Sequence, residues 1–136
     1  MTIRYTVKKS WIGFALSAGL VALPLAAWAD ASTQIQTAAQ HAGFASQATD
    51  IKMAHAHLHH TLNCLVGPKS KSFDKKAENP CADQGNGAIP DETDATTKKS
   101  LEKIARSTRS ALGGSDLDKV KEAAGKIQSE LGSLSK

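Results

Sequence analysis

The chain has 136 residues, which suits one small domain and leaves no room for a two-domain enzyme around a buried cofactor cleft. Both Trp and the single Tyr fall within the first 29 residues, so the rest of the core must be built from Ala, Leu, Ile and Val, which favours packed helices over a sandwich. Three of the 17 basic residues, Arg4, Lys8 and Lys9, also lie there, leaving 14 against 13 acidic ones, interspersed and without the basic stripe that nucleic acid or an anionic membrane selects.

Residues 1–29 read as a secretion signal. A positive start is followed by an uncharged apolar run from Trp11 to Leu25, then by Ala27-Trp28-Ala29, with small residues where a signal peptidase reads. Pro24 and the Ala-x-Ala ending argue against a retained anchor, so no membrane attachment is expected after cleavage. No Cys follows the run and no twin-arginine pair precedes it, which predicts general secretion into a periplasm, an oxidising compartment. The remainder, 30–136, is expected to be a single all-α domain.

Within that domain, 32–66 contains one Gly and no Pro and is rich in Ala and Gln. The composition predicts one long helix, bent if anywhere near Gly43 and ended by Gly67-Pro68. Residues 67–92 carry Gly, Pro, Asn, Asp, Ser and Lys with little periodicity, and read as a loop longer than compact domains normally use. Leu101, Ile104, Ala105, Ala111 and Leu112 mark a helix over 93–112, begun by Asp91, Glu92 and Asp94 and stopped by Gly113-Gly114. Ser115 to Asp118 resembles a capping box ahead of a last helix over 116–131, whose stripe is Leu117, Val120, Ala124, Ile127 and Leu131. The two-Gly link makes these last helices an antiparallel hairpin. At 1.5 Å per residue the first helix would be about 50 Å long and the hairpin helices about 27 Å, so the hairpin would cover half of it. That half should hold Ile51, Leu58, Leu62 and Leu65. The uncovered N-terminal half would fray, or meet a second copy or an envelope protein.

Cys64 and Cys81 are the only cysteines. An even count in an exported chain predicts a disulfide that fastens the loop onto the end of the first helix. Two reduced thiols on a soft metal are the competing reading. No Cys-x-x-Cys-His is present for c-type haem.

Four of the five histidines fall within six residues, at His55, His57, His59 and His60. At 100° per residue, Met53, His57, His60 and Cys64 form a stripe roughly 60° wide. His55 and His59 lie nearly opposite, and in a continuous helix His41 joins their edge as a solvated residue. Two histidines one turn apart can share a metal, which gives two candidate pairs, 55/59 and 57/60. Neutral imidazole suits copper, nickel and zinc, and the Met53 thioether would add preference for Cu(I). Further ligands would come from Asp50, Asp74, Glu78 or Asp83. The opposing reading is structural, with the rings donating to backbone groups of the long loop.

The segment HAHLHHTLNCLVGP (His55 to Pro68), with Asn79-Pro80-Cys81 and Gly85-Asn86-Gly87-Ala88-Ile89-Pro90-Asp91, resembles the signature of a family of small exported bacterial proteins to which no activity is attached. The Ala- and His-rich helical stretch 32–66 is similar to small periplasmic metal-binding proteins. That similarity implies a metal, carried by histidines.

No nucleophile elbow, phosphate loop or paired carboxylates beside a base occur, so no enzyme is expected. The leading expectation is a periplasmic helical protein that stores, buffers or delivers copper, with nickel or zinc as alternatives, through His55, His57, His59 and His60 with Met53. The second is a structural or interaction protein of the cell envelope whose histidines support the disulfide loop. The third is b-type haem held by a His from each of two chains.

Overall fold

The computed structural model describes residues 31–135, so the expected signal segment lies outside the described residues. Among these residues five helices follow in order: α1 Ala31–Ser46, α2 Ile51–Val66, α3 Ala88–Asp91, α4 Ala95–Leu112 and α5 Leu117–Leu134. Among the described residues there is no strand, and no helix is long and apolar enough to cross a membrane.

The expected single helix over 32–66 is two helices, and the chain breaks at 47–50 rather than bending near Gly43. The cause is capping. Asp50 takes an extended backbone conformation, and its carboxylate accepts from Met53 N–H at 2.8 Å, so a new helix starts at Ile51. Ala48 sits buried inside the turn, which anchors it. Asp50 Oδ1 is therefore engaged in the cap. The expectation of an uncovered N-terminal half fails for the same reason. With the chain folded back, α1 packs along both α2 and α5, and Ile35, Ala38, Ala42 and Ala45 are fully buried.

The small residues of α1 allow that double contact. The Gly43 backbone lies against the Gln128 side chain, and Gly125 lies beside Ser46, so α1 and α5 run antiparallel in close register. α4 closes the square by packing on α2 and α5. The four long helices thus form an up-down-up-down bundle, filled by Ile35, Leu58, Leu65, Leu101, Ile127 and Leu131. The starts of α4 and α5 lie within two residues of the expected ones. Asp94 caps α4 by accepting from Thr97 N–H at 2.7 Å. Asp116, rather than Ser115, caps α5 by accepting from Lys119 N–H, and α5 continues through Gly132 to Leu134.

The loop after α2 is ordered by three devices. The Cys64–Cys81 disulfide forms as expected, with both residues buried. Asn63 is fully buried; its amide donates to the carbonyls of Asp74 and Glu78, and its Oδ1 accepts from Asp74 N–H. Gln34 of α1, also buried, donates to the Gln84 carbonyl and to the Asp91 carboxylate at 2.7 Å. Asp91 is thereby part of the loop clamp and not the start of α4. Partial burial alone would raise its pKa, yet the hydrogen bonds from Gln34 and Asn86 hold it below the usual carboxylate value. Gly67 and Gly87 meet backbone to backbone where the loop returns to the end of α2, both at positive φ. The residues of this loop segment are thus used for architecture: the glycines for approach, Asn63 and the cysteines for tethering.

Candidate metal centre

Folding α1 back along α2 places His41 opposite His57 and His60. The two helices pair about the 47–50 turn, and His41 and His57 are both eight residues from Thr49. The rings of His57 and His60 already project in nearly the same direction, three positions apart on α2. His41 Nδ1 lies 3.3 Å from His57 Nδ1 and 3.3 Å from His60 Nδ1. One ligand atom from each of the three rings lies within 4.8 Å of the other two. Ring centroids are 5.0–5.6 Å apart, with His41 edge-on to His60 and His60 edge-on to His57.

Hydrogen bonding alone satisfies this arrangement poorly. A neutral imidazole nitrogen either donates once or accepts once, so His41 Nδ1 cannot serve both neighbours fully. A metal ion can. At a metal–nitrogen distance of about 2.0–2.1 Å, two donors on a tetrahedral ion stand about 3.3–3.4 Å apart. The two separations at His41 match that figure. The three histidines could therefore hold a metal ion.

The surroundings disfavour protonation of His41 and His60. Burial, followed by repulsion from His60 and His57, lowers the His41 pKa to about 4, and Glu78 opposes the shift. Burial and His57 lower His60 as well, again against Glu78. Phe44, one turn after His41, packs on His41 and His57 with centroids at 5.5 and 5.3 Å, and covers one side of the cluster. It remains 44 % exposed, so the centre is half-buried rather than sealed.

These shifts carry a pH dependence whose sign is fixed. The unfolded chain protonates His41 near pH 6.5, the folded one only near 4. Between those values the unfolded state binds the extra proton, so metal-free stability is full above about pH 6.5 and falls as pH drops towards 4. We expect a loss of about 1–2 kcal/mol over that window after allowing for solvent screening, and a clearly smaller loss in His41→Gln. Urea denaturation of both proteins at pH 7 and pH 4.5 checks it, and equal slopes would contradict it.

The other expected site residues are placed elsewhere. His41 was read as a solvated neighbour of His55 and His59, and instead joins His57 and His60. His59 points to the loop, its Nδ1 3.1 Å from an Asp74 carboxylate oxygen, close enough for an ion pair but not aligned for a hydrogen bond. His55 buries its Nε2 without a partner. Neither belongs to the three-histidine group, so the structure brings together the 57/60 pair and not the 55/59 pair. Met53 is 44 % exposed, one turn before His57. Cys64 and Cys81 are joined to each other, which removes the reading of two thiols on a soft metal. A disulfide of this kind suits an oxidising environment. The missed signal was Thr49-Asp50 ahead of Ile51: a capping residue there turns the helix and converts a distant His into a facing one. No family model, curated protein or solved structure matches this chain.

Proposed function

We propose that this is an exported, non-enzymatic protein that binds one transition metal ion through His41, His57 and His60, for storage, buffering or delivery. The observation that carries the reading is the pair of 3.3 Å Nδ1 separations centred on His41. The lowered pKa values of His41 and His60 add support, because a ligand that resists protonation at mildly acidic pH loses less affinity to proton competition. Copper is the first choice of metal: three imidazoles suit it, and Cu(II) heads the divalent affinity order, ahead of nickel and zinc. The setting agrees with the sequence signal for a periplasmic destination, and the disulfide is at home there.

Calorimetric titration of the oxidised, chelator-stripped protein with Cu(II), Ni(II) and Zn(II) tests this. One equivalent should bind. His41→Ala should weaken binding about 100-fold or more, whereas His55→Ala and His59→Ala should change it by no more than about threefold. Binding that survives His41→Ala, or depends instead on His55 and His59, would refute the site. His59 has a different part, since its approach to Asp74 favours support of the loop.

A further inference from the structure

We propose that Glu78 provides the fourth donor of the three-histidine centre, a carboxylate oxygen brought by the disulfide-tethered loop, which makes the centre a site for a divalent cation and not for Cu(I). The inference rests on the metal-binding reading above and specifies its ligand set.

The placement comes from Asn63. This residue lies three positions after His60 and four after His59, on the turn of α2 between them and the disulfide. Its buried amide grips the loop at two points, Asp74 and Glu78. The grip lays 74–78 across α2 just beyond the histidines and sets two carboxylates there. One is already engaged: Asp74 stands 3.1 Å from His59 Nδ1. The other is Glu78, whose carbonyl accepts from Asn63 at 3.1 Å while its exposed side chain keeps three free torsions. Its oxygens lie outside the 4.8 Å group of ligand atoms, so to join the centre the side chain must change rotamer. Cys81, three residues on, pins the loop to Cys64 and limits how far Glu78 can drift.

The chemistry of that donor selects the ion. A carboxylate is a hard ligand that suits Zn(II), Cu(II) and Ni(II), and its charge offsets the dication. Cu(I) prefers thioether or thiolate, and the one nearby thioether, Met53, lies at the other end of the histidine stripe.

The test compares the oxidised wild-type protein with Glu78→Gln and Met53→Ala, using Zn(II) and Cu(I) affinities and the visible absorption of the Co(II) form. Glu78→Gln should weaken Zn(II) about tenfold or more, alter the Co(II) bands and leave Cu(I) affinity within about twofold. Met53→Ala should leave Zn(II) and the Co(II) bands unchanged. Since Glu78 is exposed, thermal unfolding of the Gln variant should match wild type, which confirms that the fold is intact. An unchanged Co(II) spectrum in Glu78→Gln overturns the proposal, including the case where the Zn(II) loss vanishes in high salt and so reflects charge at a distance. If the wild-type protein itself binds no metal, the three-histidine reading fails first. If it binds and Glu78→Gln binds equally well, only the fourth ligand is refuted.

Discussion

Replacing Gly67 with Ala should cost about 4 kcal/mol or more, the largest single effect expected in the chain. Gly67 follows α2 with φ +72°, where its N–H still donates to the Asn63 carbonyl at 2.9 Å. A Cβ there would stand 1.6 Å from the Asn86 carbonyl oxygen and 3.0 Å from Gly87 Cα. Those are backbone atoms, so no side chain can turn away. Relief requires moving 85–87 off the end of α2, and that segment is held by Gln34 through Gln84 and Asp91 and by Asn86 bonding to Asp91. The positive φ adds about 1–2 kcal/mol of its own. Against a total stability of about 5–15 kcal/mol for a small domain, such a loss leaves the protein marginal. Gly132→Ala is the control. It lies on the exposed side of α5 with nothing within 4 Å of the new methyl, and should stabilise by about 0.5–1 kcal/mol through helix propensity. Chemical denaturation of the two variants beside wild type decides the matter. A Gly67→Ala protein within about 1 kcal/mol of wild type would mean that the loop does not press on α2 as described.

The C-terminal hairpin, the end of α2 and the disulfide were legible because each rests on a local signal. Apolar stripes, Gly67-Pro68, Gly113-Gly114 and an even cysteine count act within one or two turns of chain. The bundle was less legible, and one residue explains most of the difference. Asp50 caps a helix inside a stretch whose Ala, Gln and Thr could equally continue one, and propensity cannot separate the two outcomes. The cap takes effect because Ala48 buries in the turn and Ile51 packs against the core, which is a tertiary effect. The candidate site inherited that ambiguity. The angle between His57 and His60 follows from their spacing on a single helix, so their pairing was visible in the sequence. The third ligand, His41, comes from another helix, and its direction depends on where the chain turns. On a straight helix it falls beside His55 and His59; after the turn it faces His57 and His60. Asn63 and Gln34 were silent for a related reason. A buried amide that clamps a loop carries no periodic signature, and its role appears only when the backbone groups it satisfies are located.

The loop tether and the histidine centre should separate in a variant lacking the disulfide. Cys64→Ala/Cys81→Ala opens a link across 17 residues and should lower stability by about 3 kcal/mol, or about 12–24 °C in Tm for a domain of this size. Substitution is preferable to chemical reduction here, because free thiols next to the histidines would themselves attract soft metals. The three histidines lie on α1 and α2, whose contact is made by Ala38, Thr61 and their neighbours and needs no loop residue; Thr61 Oγ1 donates to the Ala38 carbonyl across it. The variant should therefore keep one metal equivalent dependent on His41. Glu78 is in a different position, since its place depends on Asn63 and on Cys81. Freed at one of those two anchors, it should contribute less, so Zn(II) affinity should fall part of the way towards that of Glu78→Gln. Adding Glu78→Gln to the cysteine variant should then cost less than it does in the disulfide-bonded protein. A metal site lost altogether with the disulfide would place the loop, and not the α1–α2 pair, at the centre of binding. A Glu78 effect of full size without the disulfide would show that Asn63 alone sets the loop.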